Sequence, residues 1–202
     1  MVEIHQGDLP EGLDLGPVVA IDTEAMGLVP HRDRLCVVQL SAGDGTAHLV
    51  QIARDQKEAP RLTALLADPE REKLFHFGRF DIAVLAYRFG VLARPVWCTK
   101  IASKLARTFT DRHGLRVLCS ELLDVDISKA QQTSDWGAET LTPAQASYAA
   151  SDVLHLHAIK AVLSEMLVRE GRMTLAEACF RFLPDRAALD LAGWPETDIF
   201  SH

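Results

Sequence analysis

The stretch Val18-Val19-Ala20-Ile21-Asp22-Thr23-Glu24 decides how the rest of this sequence is interpreted. Its apolar, largely β-branched first half predicts a buried strand, and two carboxylates follow directly. Side chains alternate between the faces of a strand, so Asp22 and Glu24 point to the same side. Two adjacent carboxylates raise each other's pKa unless a cation lies between them. The pattern therefore indicates a metal site at a strand end, although Asp-x-Glu is also common in exposed turns.

Outward from this strand, the sequence predicts an α/β domain with a mixed five-stranded sheet flanked by helices. Residues 1–16 look like a polar lead-in, and Gly43-Asp44-Gly45 has the chemistry of a hairpin turn. The predicted strands are 18–21, 35–40, 47–52, 73–77 and 96–98. The predicted helices are 61–66, 80–89, 99–107, 115–123, 143–170 and 174–183. We expect a single domain over 1–202, with a core at about 17–170 and a helical extension at 171–202.

The composition is that of an ordinary globular chain of 202 residues, with 48% apolar and 24% charged residues. No apolar run approaches the roughly 20 residues that span a bilayer, and the start lacks a signal-peptide pattern. A cytoplasmic protein that does not enter membranes is therefore expected. The net charge of −7 disfavours indiscriminate binding to long duplexes but is compatible with a short nucleic-acid substrate. Four scattered cysteines are expected to be reduced and mostly buried: Cys36, Cys98, Cys119 and Cys179.

Two further motifs carry carboxylates. Asp81 follows a predicted strand and lies in the first turn of a helix, where an acid also suits the helix dipole. Tyr148 and Asp152 are four residues apart and so share one face of the helix that Thr142-Pro143 begins. An Asp among small and apolar residues is costly without a partner, which can be a metal or simply the Tyr hydroxyl.

Taken together, the three motifs resemble the DEDD superfamily of 3′–5′ exonucleases, in its Tyr-containing branch. The matching segments are Ile21–Glu24, His76–Asp81 and Tyr148–Asp152, and the likeness covers roughly residues 17–165. Asn often stands in the family where this chain has His76. Ser134-Asp135-Trp136 and the sequence around Tyr148 are similar to ribonuclease D in particular.

The chain length refines the resemblance. Ribonuclease D carries helical nucleic-acid-binding domains after its catalytic domain, whereas only about 35 residues follow the long predicted helix here. The chain is therefore most similar to the stand-alone NrnC-type nano-RNases, which cleave very short oligoribonucleotides and dinucleotides. The resemblance implies a ring-shaped homo-octamer. Apolar C-terminal residues would then be buried between subunits or against the same chain: Leu189, Leu191, Trp194, Ile199 and Phe200.

The resemblance also implies roles for individual residues. Asp22, Glu24, Asp81 and Asp152 would hold two divalent cations, Mg²⁺ or Mn²⁺, which suit oxygen ligands. Asp22 would bridge both ions and Tyr148 would orient the attacking water. The product would be a nucleoside 5′-monophosphate.

Substrate contacts are expected near the carboxylates. The expected contacts are Thr23, Gly27, Leu28, His76, Phe77, Phe80 and Lys129. Leu28 is either a wedge between the two terminal bases or an ordinary core residue, and Phe80 opens the apolar stripe of its helix. Further candidates for phosphate contacts are Arg79, Lys100, Lys104 and Arg107.

Two alternative functions fit the same sequence. One is a ribonuclease D-type exonuclease acting on longer RNA or on DNA. The other, from a different class, is an inactive exonuclease-fold module that only binds nucleic acid. Rossmann and Ser-hydrolase motifs do not occur in the sequence.

Overall fold

A computed structural model describes residues 1–128, 131 and 133–202. Its strands form one mixed sheet with the order β1-β4-β3-β2-β5-β6, so the predicted α/β class is confirmed. The strands are β1 Val2–Gln6, β2 Val18–Ala25, β3 Leu35–Ser41, β4 Ala47–Gln51, β5 Glu72–Phe75 and β6 Val96–Cys98. The helices are α1 Pro60–Ala67, α2 Arg79–Phe89, α3 Thr99–Ala106, α4 Leu115–Leu123, α5 Pro143–Leu154, α6 Leu156–Arg169 and α7 Met173–Leu191.

The centre of the sheet follows the predicted pattern. β2, β3 and β4 pair in an antiparallel meander, and β5 lies parallel to β2 on its other side. The neighbouring β3 residues Val37 and Val38 belong to different apolar clusters: Val38 packs in the main core, whereas Val37 packs with Trp136 and Ala149. The sheet is therefore buried on both faces, which explains why β3 is a continuous apolar run.

The expectation of five strands is wrong, because residues 2–6 form a sixth strand. β1 pairs in parallel with β4, from Val2 opposite Ala47 to Gln6 opposite Gln51. It is an edge strand, and four of its five residues are exposed. Such a strand carries little of the apolar signal by which buried strands are recognised.

The prediction of one long helix over 143–170 is also wrong, because two separate helices occupy this range. His155, with φ −102° and ψ −6°, ends α5 and caps the start of α6. α5 crosses β2, β3 and β4, whereas α6 packs on α3. The last helix, expected over 174–183, continues through Pro184 to Leu191.

The cysteines and the helices were also the subject of sequence predictions. All four cysteines are free thiols; Cys36, Cys98 and Cys119 are buried and Cys179 is partly exposed. Within the described part of the chain, every helix is too short or too polar to cross a bilayer.

Candidate metal centre

Three carboxylates from two elements meet where β2 ends. Asp22 and Glu24 extend from β2 and Asp152 from α5, and one oxygen of each lies within 4.8 Å of the others. They border a cavity of about 280 Å³. Its lining comprises Asp22, Thr23, Glu24, His76, Leu115, Arg116, Ile127, Ser128, Tyr148 and Asp152. The fold thus brings the first and third sequence motifs together.

Asp81 lies beside this group and is almost fully buried, with 5% of its surface exposed. It sits in the first turn of α2. The Thr23 hydroxyl donates a 2.6 Å hydrogen bond to its Oδ1. Thr23 was predicted to contact the substrate. It does line the cavity, and its hydroxyl also orients the Asp81 carboxylate.

Burial and mutual repulsion make the metal-free site electrostatically unfavourable. The pKa of Asp22 is raised well above its ordinary value by burial and by the charges of Asp81, Asp152 and Glu24. Burial, then the charges of Asp152 and Asp81, raises the pKa of Glu24 to about 8. Burial also raises the pKa of Asp81, and burial with the charge of Asp81 raises that of Asp152. A bound cation would relieve all four shifts, because it compensates the charge that burial disfavours.

α5 is fixed in position by its first turn and by small residues. Thr142 and Gln145 form a capping box, with each side chain bonded to the other's backbone N–H. Ala149 and Ala150 are completely or almost completely buried, so the helix backbone approaches the sheet closely. That approach brings Asp152 to the end of β2.

Tyr148 lies one turn before Asp152 and is half-buried. Its ring packs at 6.0 Å from that of Trp136, measured between centroids. Burial, reinforced by the charges of Asp152, Glu24 and Asp22, raises the pKa of its hydroxyl further above the ordinary value near 10. The phenol is therefore protonated at neutral pH and can donate or accept a hydrogen bond, but it is a poor general base.

The predicted stacking residues His76, Phe77 and Phe80 differ in exposure. His76 lines the cavity and is bonded through Nδ1 to Thr99 Oγ1 at 2.8 Å. Burial, with the charge of Lys100, lowers its pKa to about 3, so its ring is neutral. Phe77 is 45% exposed, with the Lys100 ammonium 3.8 Å from its ring centroid. Phe80 packs against the main core instead, so only Phe77 presents an open ring.

Gly27 and Leu28 lie in a tightly bonded loop after β2. The Val29 N–H donates to Asp33 Oδ2 at 3.0 Å, and Arg32 forms an ion pair with the same carboxylate. A Cβ on Gly27 would lie 2.3 Å from Asp33 Oδ2, so the close approach requires glycine. Leu28 is 82% exposed. The alternative of a core leucine at this position is therefore wrong.

Two of the basic residues considered for phosphate contacts are already engaged. Arg79 makes a bidentate pair with Asp190, with Nε and Oδ2 2.6 Å apart. Arg107 is 2% exposed and is bonded to Glu121. Lys129 lies outside the described residues.

Sequence reasoning missed four lining residues. Leu115 and Arg116 begin α4, whereas Ile127 and Ser128 follow it. Their places in the cavity depend on how α4 packs against the rest of the domain. No local pattern in the sequence carries that information.

A larger cavity of about 650 Å³ lies elsewhere, bordered by β6, α6 and α7. Its lining includes Trp97, Phe180 and Pro184, and the ion pair between Lys160 and Glu72. It is mainly apolar and lies away from the carboxylates. The carboxylates therefore identify the smaller cavity as the candidate active site.

Comparison with known proteins agrees with this geometry. A family model described as 3′-5′ exonuclease matches residues 7–168. The chain belongs to the 3′–5′ exonuclease family. Ribonuclease D of Granulibacter bethesdensis is 39% identical to this exonuclease-family chain over 171 residues, which are 85% of the chain and 43% of the relative. The chain thus spans less than half the length of this curated relative.

Solved structures extend the comparison. Escherichia coli RNase D has a TM-score of 0.75 and 28% identity, covering 85% of this chain and 45% of that one. Brucella melitensis NrnC has a TM-score of 0.97 and 62% identity, covering 100% of this chain and 98% of that one. The Brucella protein has also been solved with bound Mg²⁺ and bound to pGG. This exonuclease-family chain is thus ribonuclease D-like, as its motifs predicted, and groups with NrnC, as the chain length suggested.

Proposed function

We propose that this chain is a two-metal-dependent 3′–5′ exoribonuclease that acts on very short oligoribonucleotides, including dinucleotides. The observation that carries the proposal is the meeting of Asp22, Glu24 and Asp152 in one small cavity, with Asp81 and Tyr148 beside them. The pGG complex of the similar Brucella protein supports a short substrate.

The donor set fits hard divalent cations. Asp22, Glu24, Asp81 and Asp152 offer only carboxylate oxygens, which Mg²⁺ and Mn²⁺ prefer. Their raised pKa values indicate that the site accumulates more negative charge than the protein alone can stabilise. The Mg²⁺ complex of the Brucella protein supports magnesium as the ion.

When bound, the ions would lower the pKa of a water and stabilise the charge that develops on the phosphate. Tyr148, protonated and next to Asp152, would hold the attacking water in line with the phosphorus. The water oxygen would form a bond to phosphorus while the bond from phosphorus to the 3′-oxygen breaks. The products would be a nucleoside 5′-monophosphate and a chain with a free 3′-hydroxyl.

The size of the cavity supports a short substrate. Its volume of about 280 Å³ lies just below the range of about 300–1,000 Å³ typical of small-molecule sites. Such a cavity suits one terminal nucleotide. Exposed Leu28 and Phe77 would offer apolar surface to a neighbouring base.

A length series tests the proposal. We expect 5′-labelled RNA dinucleotides to be cleaved faster than 7-mers, with Mg²⁺ or Mn²⁺ required and none of the activity retained by Asp22→Asn. DNA oligomers of the same lengths would test sugar preference. Faster cleavage of 7-mers would favour the ribonuclease D-type alternative. Near-normal cleavage by Asp22→Asn would contradict the metal site itself.

The inactive binding module is the less favoured alternative. Modules of that kind would not need all four carboxylates and the tyrosine to be kept in one place, as they are here. Wild-type protein that binds dinucleotides but does not cleave them with either metal would establish it.

A further inference from the structure

A second group of metal-ligating side chains lies at the opposite end of the sheet from β6. Glu3 and His5 extend from the edge strand β1, and His48 extends from its neighbour β4. Glu3 is in register with His48, and His5 is two residues beyond Glu3. All three side chains therefore project from the same face. β3 and β4 separate this face of β1 from the carboxylates of β2.

The distances within this group match those of a tetrahedral metal site. His5 Nε2 lies 3.1 Å from His48 Nδ1. Glu3 Oε2 lies 3.5 Å from His48 Nδ1 and 4.0 Å from His5 Nε2. Metal–nitrogen bonds of about 2.0–2.1 Å in tetrahedral geometry separate two ligand nitrogens by about 3.3–3.4 Å. The three atoms are thus nearly in place before an ion binds.

The two imidazoles are largely shielded from water. The side chain of His48 is 6% exposed and that of His5 is 16% exposed. In the metal-free protein one of these two ring nitrogens donates a hydrogen bond to the other, and a bound cation would replace that bond once the proton has moved to the second nitrogen of the donor ring.

We propose that Glu3, His5 and His48 form a binding site for one borderline divalent cation of the Zn²⁺ type. Two imidazole nitrogens and one carboxylate oxygen are a donor set that suits zinc better than magnesium. Glu3 is 45% exposed, which leaves a further coordination position open to water. The proposal does not depend on the exonuclease activity, because the two sites share no residue.

A bound ion would hold the edge strand β1 against its neighbour β4. β1 is otherwise held by its ladder with β4, by the Gln6–Gln51 side-chain bond and by the Met1 ammonium, which donates to the Gly45 carbonyl at 2.6 Å. Ligands from both strands would add a cross-strand link on one face.

Zinc titration of EDTA-treated protein tests the proposal. The parent is the Asp22→Asn/Asp152→Asn variant, in which the carboxylate site has lost two of its ligands. By isothermal titration calorimetry we expect one equivalent of Zn²⁺ in this parent. His48→Gln should lose that equivalent or weaken it by more than about tenfold. Mg²⁺ at the same concentrations should give no heat from this site.

Two further variants complete the test. His31→Gln alters an exposed histidine outside the group and should keep the zinc equivalent. Glu3→Gln changes only a half-exposed side chain and should weaken zinc binding without affecting folding, as circular dichroism would verify. The proposal is overturned if the parent binds no zinc, or if His48→Gln and Glu3→Gln both keep unchanged affinity. The second outcome would assign any zinc to other ligands, such as the Cys179 thiol.

Discussion

At Asp22, burial and three neighbouring charges all favour the protonated carboxyl. Glu24, with a pKa of about 8, and the carboxyls of Asp81 and Asp152 are shifted in the same direction. Since unfolded carboxyls titrate near pH 4, the metal-free native state binds more protons than the unfolded state between about pH 4 and pH 8. The free energy of unfolding should therefore fall as the pH rises through this window.

Urea unfolding at pH 5, 6, 7 and 8 measures this effect. In EDTA we expect the free energy of unfolding to fall as the pH rises from 5 to 8. Added Mg²⁺ should restore that free energy, most strongly at pH 8. Asp22→Asn/Asp152→Asn should show a shallower slope and a smaller response to Mg²⁺. Metal-free stability that stays level or increases between pH 5 and pH 8 would contradict the account.

Tyr148 offers a test of positioning as distinct from metal binding. Tyr148→Phe removes only the hydroxyl, so the carboxylates keep their places and the Mg²⁺ concentration for half-maximal activity should be unchanged. If the hydroxyl orients the attacking water, kcat on a dinucleotide should fall by about 10- to 100-fold. Steady-state kinetics with Mg²⁺ titration would separate the two effects. A shifted Mg²⁺ dependence with unaltered kcat would assign Tyr148 to the metal site instead.

Substitution of Gly27 tests how closely the loop after β2 packs against the Asp33 carboxylate. An added Cβ would meet the Asp33 carboxylate at 2.3 Å and displace the acceptor of the Val29 N–H. Gly27→Ala should therefore destabilise the fold by about 1–3 kcal/mol in urea unfolding. Gly114→Ala, with open space around its new methyl group, is the matched control. Equal effects of the two substitutions would show that the close approach to Asp33 is unimportant.

The stability of helix α5 depends on the capping box in its first turn. Thr142→Ala removes the side-chain acceptor for the Gln145 N–H and half of the capping box. The expected loss in the free energy of unfolding is about 1 kcal/mol. Thr140→Ala, two residues earlier in the chain, should be nearly neutral because that side chain is exposed. Comparable losses in both variants would argue against a specific cap.

The sequence predicted elements wherever apolar spacing was strong. β3, β6 and α4 were located almost to the residue, since each is bounded by turns and carries a clear apolar pattern. The break at His155 was missed because the apolar spacing continues from α5 into α6 without a Gly or Pro. Helix propensity alone does not reveal where tertiary packing redirects a chain.

For the candidate site, each carboxylate was predictable because it stands at a recognisable place in one element. Their convergence was indicated only by the combined resemblance of the three motifs. Lining residues from α4 and the segment after it were not predictable, because Arg116 and Ile127 reach the cavity through long-range packing. The engagement of Arg79 by Asp190 was hidden for the same reason.

At the scale of the whole molecule, apolar side chains near the C-terminus remain uncovered within one chain. Trp194 is 47% exposed, Ile199 46% and Phe200 77%. We expect them to be buried between subunits, in keeping with the homo-octamer that the resemblance implies. Light scattering coupled to gel filtration should give a mass several times 22.3 kDa. Phe200→Ser should shift that mass downward, and a monomeric wild-type protein would contradict the expectation.

The bonded loop after β2 has a consequence for how tightly a ligand can be held. Its backbone is already fixed by the Met26–Arg34 and Val29–Asp33 hydrogen bonds, while Leu28 extends outward from it. A base resting on Leu28 would restrict one short side chain rather than a mobile loop, at an entropic cost of about 0.5–1.5 kcal/mol. Most of the contact energy would then slow dissociation, so even a two-nucleotide ligand could remain bound long enough to react.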